Sequence, residues 1–331
     1  MFNASLTFRE RPMSAKKIQH PTHYLFFCIS IIAIALSLAG YWGRFNLYFE
    51  FASGYKLQLL LLALPGSIYF LLTRKYSGLI LSLAVVLLNL AVIIPWYFNR
   101  AEIINSEEYQ PLKIISYNVL WSNQKYAQAI AFIKQEQPDL AIFQEAVPPW
   151  QEQLTALKSD YPYQIEAKQL EIVLYSKIPL PQPQIKLYGT YRGIVIVELE
   201  IGDRPIKLLA THAYPQLYYG QEGWQIRNQH LEQGIGSYVK ALQTPVIVMG
   251  DLNVSMWSPF YHSMIEISGL RNARQGFGIL PTQSTIAPQF AALSAPIDHC
   301  LVSPDIQVTK FRVGQNLGSD HLPIVAELLV P

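Results

Sequence analysis

The fold of this chain is decided by one stretch, Val246-Ile247-Val248-Met249-Gly250-Asp251-Leu252-Asn253. Its first five residues are apolar or small, and a run rich in Val and Ile predicts a strand that is buried on both faces. Asp251 and Asn253 follow at the carboxyl end, two residues apart, so their side chains point the same way in an extended chain. A carboxylate beside a carboxamide can orient a water molecule and hold an oxyanion. The alternative for this stretch alone is a strand followed by an Asp-x-Asn turn.

Other strands after residue 110 are predicted to begin or end in the same way. The polar residues at or near these strand termini are Asn118, Glu145, His212, Asp251, Asn253, Asp298, Asp320 and His321. A single residue of this kind is most often a cap or a turn residue, whereas eight in one domain are hard to explain as structure alone. Ligands of α/β sheets gather at such strand ends, so the pattern predicts a functional site there.

The types of these residues fit one chemistry. Glu145, Asp320 and Asn118 offer hard oxygen ligands, which suit Mg²⁺ or Mn²⁺ better than Zn²⁺. His212 and His321 are donors that can stabilise phosphate charge, although a histidine such as His212 is by itself more often structural. The sequence has no Walker loop, no dinucleotide-type glycine fingerprint and no Cys/His zinc spacing. The pattern therefore favours metal-assisted chemistry on a phosphate ester.

Composition indicates a membrane part followed by a soluble part. The chain has 331 residues, a formal net charge of +2 and 51% hydrophobic residues, and the apolar excess is concentrated in the first hundred residues. The near-neutral charge argues against a strongly nucleic-acid-binding surface. Only two cysteines are present, Cys28 and Cys300, and their separation predicts no internal disulfide.

Three apolar runs precede the soluble part: Tyr24 to Trp42, Leu57 to Leu72 and Gly78 to Phe98. Each is near the length of about 20 residues that crosses a bilayer. None contains a charged residue, which predicts anchoring rather than transport. Lys and Arg are denser in the N-terminal segment and the second loop than in the first loop, so the N-terminus is predicted to be cytoplasmic. Three crossings then place the remainder outside the cytoplasm, in the periplasm. A cleaved signal peptide is the alternative for the first run.

The chain is accordingly divided into four parts. These are a cytoplasmic N-terminal segment over 1–23, a three-helix transmembrane anchor over 24–98, a polar linker over 99–110 and a catalytic domain over 111–331. The last part is long enough to bury a full α/β core as one domain. Its strand–helix–strand order from Leu112 to Glu145 predicts a βαβ unit with polar tips on one edge. Further helices are predicted at 150–158 and 225–242, a strand at 170–176 and a long loop over 276–296.

Six segments in series carry a resemblance to a known superfamily: Ser-Tyr-Asn118, Phe-Gln-Glu145, Thr-His212, Gly-Asp251-Leu-Asn253, Ile-Asp298-His and Gly-Ser-Asp320-His321. In this order and spacing they resemble the endonuclease/exonuclease/phosphatase superfamily, which has the fold of DNase I, abasic-site endonucleases and neutral sphingomyelinases. Membrane-anchored bacterial-type members look most similar. The resemblance covers about residues 110–331. It implies an α/β fold, a four-layer α/β sandwich in which two packed mixed β-sheets are flanked by helices, here preceded by three transmembrane helices.

The resemblance also implies a metal centre. Glu145 would be the main Mg²⁺ ligand, with Asn118 and Asp320 beside it, and Mn²⁺ is the alternative ion. Glu171 would orient His212, as an acid does in some members. No other cofactor is implied.

The resemblance further implies the catalytic roles. Asp298 would hold the imidazole of His321, and Asp251 would orient or deprotonate the attacking water. Asn253 and His212 would contact the phosphate. Whether Asp251 or His321 is the general base stays open at this stage.

The function expected from the sequence is that of a membrane-anchored, Mg²⁺-dependent phosphoesterase with a phosphate-ester substrate, a lipid headgroup or small ester being favoured. Three tyrosines follow His212, and such aromatics suit the headgroup region of a membrane or, alternatively, pack within loops. No Lys/Arg cluster accompanies them, as a groove for long nucleic acid requires. The other aromatic or apolar side chains of the neighbouring loops are Trp224, Met256, Trp257 and Phe260.

Two alternatives to this function remain. The first is an extracytoplasmic nuclease acting on DNA or RNA. The segment Tyr191-Arg192 gives no clear match to the Tyr and Arg that grip the DNA backbone in the nucleases, so this alternative is less favoured. The second is a catalytically inactive, anchored binding domain, which the presence of all eight polar residues disfavours.

Overall fold

The computed structural model describes residues 21–98, 109–202, 204–215, 218–283 and 294–331. The predicted N-terminal segment 1–23 and linker 99–110 therefore lie almost wholly outside the described residues. Four helices form in the apolar first part of the chain: α1 (Pro21–Ala39), α2 (Leu47–Ser53), α3 (Lys56–Leu72) and α4 (Tyr76–Ile93).

Two of the predicted membrane-spanning helices form where they were expected. The segments Pro21–Trp42 and Tyr76–Tyr97 are long and apolar enough to cross a membrane. The prediction of three such helices is wrong for the second run, because α3 has only 17 residues and is bent by 69° from α2. Gly54 and Tyr55 interrupt the helix between them. The bent pair counts as a third span only if both of its helices belong to one crossing.

The three long helices of this part alternate in direction. The His23 ring at the start of α1 lies 5.4 Å from the Phe70 ring near the end of α3. At the opposite end, the Asn89 amide of α4 donates a 2.8 Å hydrogen bond to the Ser37 hydroxyl of α1. Helix α3 therefore runs antiparallel to α1 and α4. The end of α1, the start of α3 and the end of α4 lie together.

The first of two six-stranded sheets contains the βαβ unit. Its strands are β1 (Gln110–Asn118), β2 (Leu140–Gln144), β3 (Tyr163–Ala167), β4 (Ile172–Ser176), β11 (Gln307–Val313) and β12 (Ile324–Val330), in the spatial order β11-β12-β1-β2-β4-β3. Strands β1 and β2 are parallel and are joined by α5 (Tyr126–Glu136). Strand β12 is antiparallel to β1, with Ile324 opposite Ser116. The start of β12 therefore lies beside the end of β1.

The second sheet brings the opening stretch into the centre. Its strands are β5 (Gln184–Tyr188), β6 (Arg192–Ile201), β7 (Arg204–His212), β8 (Val246–Asp251), β9 (Arg271–Asn272) and β10 (Asp298–Val302), in the order β5-β6-β7-β8-β10-β9. Strand β8 is parallel to β7 and antiparallel to β10. A Cβ at Gly250 would lie 1.9 Å from the Thr211 carbonyl oxygen, so only glycine lets β7 and β8 approach this closely.

The two sheets pack face to face, and helices cover both outer faces. Side chains such as Ile142 and Leu208 fill the core between the sheets. Helices α5 and α6 (Pro148–Leu154) cover the first sheet. The helices on the second sheet are α7 (Gly220–Gln229), a π-helical turn His230–Ser237, α8 (Tyr238–Lys240) and α9 (Pro259–Ser268). The predicted two mixed sheets flanked by helices are thus confirmed.

The anchor helices pack directly on this outer helical layer. Leu47, Leu60 and Ile93 belong to the same buried cluster as Trp257 and Phe260. The Trp257 indole N–H donates a 3.0 Å hydrogen bond to the Val92 carbonyl of α4. Trp224 of α7, Phe260 of α9 and the loop residues Met256 and Trp257 are all buried. For these four, internal packing is therefore the correct explanation, and they do not form an exposed aromatic surface.

Several elements differ from the sequence prediction. The predicted strand 170–176 begins only at Ile172, because Lys168–Leu170 forms a 3-10 turn. The predicted helix 225–242 is divided by the π-helical turn, and the helix at 150–158 is shorter than expected. Edge strand β5 was missed because its exposed, alternating pattern lacks an apolar run. Residues 284–293 of the predicted long loop lie outside the described residues.

Candidate active site

The two parallel strand pairs and their antiparallel neighbours bring the predicted residues together. In the second sheet, Asp251 is paired in register with His212 on one side and with Asp298 on the other. In the first sheet, Asn118 ends β1, and Glu145 directly follows β2. The carboxyl ends of both parallel pairs therefore face one cleft between the sheets.

Asp251 is the centre of this cluster. It is 1% exposed and accepts hydrogen bonds from the Asn253 main-chain N–H at 2.8 Å and from the Asn118 amide at 3.1 Å. The Nε2 atoms of His212 and His321 lie 3.6 and 3.7 Å from its Oδ2. Burial raises the pKa of Asp251 to about 7, which is the range in which a carboxylate can exchange a proton at neutral pH.

Asp298 and His321 form a buried pair. The Nδ1 of His321 lies 2.9 Å from Asp298 Oδ2, and the His321 main-chain N–H donates to the Ser319 hydroxyl. Burial alone would lower the pKa of His321, but the carboxylates of Asp298 and Asp251 raise it well above the usual 6.5. Burial likewise opposes the charge of Asp298, yet His321 holds its pKa below the usual value. The imidazole is therefore charged, and its Nε2–H is directed toward Asp251.

Glu145 follows β2, which lies next to β1 in the first sheet. One carboxylate oxygen accepts from the Asn118 amide at 3.2 Å, and the other accepts from the Trp121 main-chain N–H at 3.2 Å. Glu145 has φ 57°, and Asn253 has φ 51°. Left-handed backbone at residues other than glycine is uncommon and clusters at functional sites, where the surrounding structure supports it.

Asp320 lies beside the end of β1. The hydroxyl of the preceding residue, Ser319, donates to the Asn118 carbonyl at 2.8 Å and lies 3.4 Å from an Asp320 oxygen. Glu145 and Asp320 offer hard oxygen atoms of the kind that bind Mg²⁺. The Asn118 amide nitrogen, however, faces Glu145 and Asp251, while its oxygen accepts from the Leu120 N–H. Asn118 thus links the carboxylates as a donor, and a ligand role requires its amide to rotate.

A second acidic group satisfies the geometry of a metal site. One ligand atom each of Asp251, Asp298 and His321 lie within 4.8 Å of one another. The hydrogen bond between His321 and Asp298 explains part of this closeness, and a protonated imidazole cannot bind a metal. The donor chemistry therefore fits a divalent cation better at Glu145 and Asp320.

His212 is fully buried, and neither of its ring nitrogens has a hydrogen-bond partner among the described residues. Burial lowers its pKa well below 6.5, and the nearby charge of Arg192 lowers it further. Its Nε2 lies 3.8 Å from Glu145. A neutral imidazole with a nitrogen that is unpaired and directed into the cleft can bind a phosphate oxygen as a donor.

One residue of the cleft was missed by the sequence analysis. Arg192 is 6% exposed; its Nη1 donates to Glu171 at 3.0 Å and its Nη2 lies 3.9 Å from Glu145. Glu171 therefore pairs with Arg192, whereas it was expected to orient His212. The carboxylate of the first sheet that lies near His212 is that of Glu145. The segment Tyr191-Arg192 was considered only for a match to nuclease residues, and a single arginine is too common to indicate a site by itself.

A sandwich of two mixed sheets, with carboxylates, histidines and an arginine gathered at its strand ends, defines a hydrolase of phosphate esters. Residues 115–321 match the family model described as "Endonuclease/Exonuclease/phosphatase family". The chain therefore belongs to this family and is a phosphoric ester hydrolase. The resemblance seen in the sequence is thus confirmed at the level of the family.

Solved structures share the fold at low sequence identity. A humanized D. rerio TDP2 is 16% identical, with a TM-score of 0.54, over 66% of this chain and 98% of that one. An endonuclease/exonuclease/phosphatase from Bacteroides vulgatus is 17% identical, with a TM-score of 0.54, over 67% and 100%. Sphingomyelinase C from Streptomyces griseocarneus is 18% identical, with a TM-score of 0.50, over 66% and 99%. No curated protein sequence matches the chain.

Proposed function

We propose that this chain is a membrane-anchored, Mg²⁺-dependent phosphoesterase that hydrolyses a phosphate ester by attack of water. The observation that carries the proposal is the cluster of side chains from both sheets around Asp251: Asn118 of the first sheet donates to Asp251 and to Glu145, and His212 and Asp298 of the second sheet are paired in register with Asp251. Structure alone gives no reason to bury this many polar groups together. A phosphodiester or phosphomonoester needs such a set, because its reaction develops negative charge that must be stabilised.

The metal would be held by Glu145 and Asp320, with Asn118 joining them if its amide rotates. A bound Mg²⁺ neutralises charge on the phosphoryl oxygens and steadies the leaving oxygen. The alternative ion is Mn²⁺, which accepts the same oxygen ligands.

The chain's own residues divide the proton chemistry between them. Asp251 is proposed as the general base for two reasons. Its carboxylate is held in place by N–H donors of Asn118 and Asn253, and burial raises its pKa to about 7, so that it can accept a proton near neutral pH. His321, kept charged by Asp298, donates its Nε2–H to a phosphate oxygen and stabilises the transition state. His212 contributes a neutral hydrogen bond to the same phosphate. This assignment makes His321 a donor and leaves the role of base to Asp251.

The favoured substrate is a lipid headgroup or a small phosphate ester. The loop at the carboxyl end of β8, residues 251–255, is called the catalytic loop. A cavity of about 360 Å³ lies between it and the anchor, lined by Phe51 and Tyr55 on one side and by Asn253 and Ile297 on the other. An apolar cavity between a membrane anchor and a phosphate site suits an ester with a hydrocarbon chain. Tyr218, 81% exposed at the rim of the cleft, offers an aromatic ring of the kind that lies at membrane interfaces.

The proposed location is the cell membrane, with the catalytic domain in the periplasm. Helices α1 and α4 would each cross the bilayer, and α3, which runs antiparallel to both but is too short to count as a span by its length, would form a third crossing of only about 25 Å. Flanking Lys56 and Arg74, with local thinning of the bilayer, would accommodate a helix of this length. An odd number of crossings places the two ends of the anchor on opposite sides.

A nuclease is the second candidate, and one observation favours it. Arg192 and the exposed tyrosines could bind a phosphate backbone and stack bases. The test uses the full chain in detergent micelles with Mg²⁺, against phospholipid and sphingolipid vesicles, bis(4-nitrophenyl) phosphate and plasmid DNA. Turnover of vesicles or the small ester, abolished by EDTA, is expected. Nicking of plasmid without turnover of lipid or ester contradicts the substrate proposal, and no hydrolysis of any of them supports an inactive binding domain.

A further inference from the structure

Helix α2 of the anchor inserts one carboxylate into the catalytic domain. Glu50 is 1% exposed and accepts hydrogen bonds from Arg227 Nη2, the Trp224 indole N–H and the Ser258 hydroxyl. The side chains of Glu50 and Arg227 are both fully buried. The ion pair therefore joins the membrane part to the catalytic domain without access to water.

Arg227 also reaches the catalytic loop. Its Nη1 donates a 3.1 Å hydrogen bond to the main-chain carbonyl of Asn253, and its Nε and Nη2 donate to the Asn228 side chain. The Asn253 main-chain N–H in turn donates to Asp251 at 2.8 Å. A series of hydrogen bonds thus runs from Glu50 through Arg227 to the carbonyl of Asn253, the same residue whose main-chain N–H holds Asp251.

The backbone of the catalytic loop needs such support. Asn253 has φ 51°, a left-handed conformation that a residue with a side chain retains only where its surroundings fix it. The Asn253 side chain adds a 2.9 Å hydrogen bond to the Ala213 carbonyl. The guanidinium of Arg227 holds the carbonyl on the other side of the residue. Loss of either contact frees Asn253 to leave this backbone conformation, which would turn its N–H away from Asp251.

Other contacts across the same interface do not lead to the cleft. Arg44 of the anchor pairs with Glu232 at 3.0 Å, but that ion pair is exposed and lies on the π-helical turn. Gln275 donates to the Pro95 carbonyl at the far end of α4. These contacts hold the two parts together, whereas the Glu50 contact continues into the catalytic loop.

A buried ion pair is a weak source of stability, because desolvation of the two charges offsets most of their attraction. We propose that Glu50 is a positioning residue of the active site, which orients Arg227 and thereby fixes the backbone conformation of Asn253 that directs its N–H to Asp251. The catalytic part of this inference rests on the proposed phosphoesterase function. It means that the anchor completes the active site in addition to attaching it to a membrane.

The test compares Glu50→Gln with Arg44→Ala in the full chain in detergent micelles. Both substitutions remove an ion pair across the same interface, but only the first lies on the path to Asn253. Hydrogen–deuterium exchange of the 251–255 amides is expected to rise roughly tenfold in Glu50→Gln, with little change elsewhere in β8, and to stay unchanged in Arg44→Ala. With bis(4-nitrophenyl) phosphate and Mg²⁺, kcat is expected to fall roughly tenfold or more in Glu50→Gln, with KM nearly unchanged.

A second comparison separates positioning from a loss of folded protein. If Glu50→Gln only lowered the folded fraction, it would reduce kcat by the same factor in the wild-type and in the Asp251→Asn backgrounds. Positioning predicts a markedly smaller factor in the Asp251→Asn background, because the carboxylate being positioned is absent there. If Glu50→Gln does not fold, Arg227→Lys gives the same readout, since it keeps both charges but cannot bind Glu50 and Asn253 together.

The outcomes distinguish this inference from the proposed function. Unchanged exchange at 251–255 in both Glu50→Gln and Arg227→Lys overturns the inference, as does an equal loss of kcat in both backgrounds. If the wild-type chain hydrolyses no ester while exchange rises in Glu50→Gln, the phosphoesterase proposal is wrong and the structural link from Glu50 to the loop stands.

Discussion

Replacement of Asp298 by Asn tests the buried pair most directly. Asp298→Asn preserves the shape of the side chain but removes the charge that keeps His321 protonated. The bond it alters is a 2.9 Å hydrogen bond between two buried charged groups. A hydrogen bond to a charged group contributes about 1.5–3 kcal/mol. If that contribution is expressed in the transition state, kcat/KM falls about 10- to 150-fold.

The substitution also shifts the pH dependence of activity in a defined direction. The carboxylates of Asp298 and Asp251 raise the pKa of His321, so a donor role for His321 fails only at alkaline pH. In Asp298→Asn one of these carboxylates is lost and the pKa of His321 falls. The alkaline limb of kcat/KM for bis(4-nitrophenyl) phosphate is therefore expected to move to lower pH. Asp305→Asn, on an exposed turn, is the matched control and leaves the profile unchanged.

The shifted pKa values of Asp298 and His321 also make the stability of the folded protein depend on pH. The raised pKa of His321 gives stability that is fully present below the unfolded value of about 6.5 and is lost as pH rises through the folded pKa. The lowered pKa of Asp298 gives stability that is present above about 3.9 and is lost as pH falls through the folded pKa. The difference in Tm between the wild type and Asp298→Asn is therefore expected to be largest between these two values.

Two results would refute this account of the pair. One is an alkaline limb that does not move in Asp298→Asn. The other is a double variant, Asp298→Asn with His321→Gln, whose loss of kcat/KM is the product of the two single losses. Residues that act as a unit give a double variant little worse than either single one.

Three further predictions follow from the site, the sheet and the anchor. Glu145→Gln removes the charge of the proposed main metal ligand, so hydrolysis is expected to fall by orders of magnitude with Tm preserved; equal activity at saturating Mg²⁺ contradicts the ligand assignment. Gly250→Ala is expected to lower the free energy of unfolding in urea by about 3 kcal/mol, because its Cβ would lie 1.9 Å from the Thr211 oxygen. Gly269→Ala, with φ +70° and nothing within 4 Å, isolates the backbone strain alone and should cost less. A reporter that is active only outside the cytoplasm should be active when fused after Pro331, and an inactive reporter in an expressed fusion would show an even number of crossings.

Much of the site could be predicted because its signals are local. Asn118, Glu145 and Asp251 each end an apolar run, and the parallel pairing of such strands brings their ends together whatever the loops do. Asp298 was found for the complementary reason, since it starts a strand antiparallel to β8. The two mixed sheets and their flanking helices follow from the same alternation of strand and helix.

What could not be predicted depends on contacts between distant segments. Arg192 enters the cleft because β6 pairs with β7, and nothing in its neighbouring residues indicates that pairing. Glu50 lies in the short helix α2, which has no apolar run to predict it. A single glutamate there does not indicate an interface, because its partner Arg227 is distant in the sequence. The bend between α2 and α3 was likewise not predicted, because hydropathy registers only the apolar run and not the direction of the helices.

The distance in sequence between Glu50 and Arg227 sets an order of events during biosynthesis. Arg227 is made 177 residues after Glu50. In the proposed topology the anchor is already inserted while the ribosome is still producing the domain that α2 will enter. The Glu50 carboxylate therefore stays hydrated at the membrane surface until the catalytic domain has folded. Arg227, Trp224 and Ser258 then replace its water as hydrogen-bond donors. Folding of the enzyme would then be completed at the membrane. A catalytic domain separated from the anchor before that step would lack Glu50, the residue proposed to position Asn253.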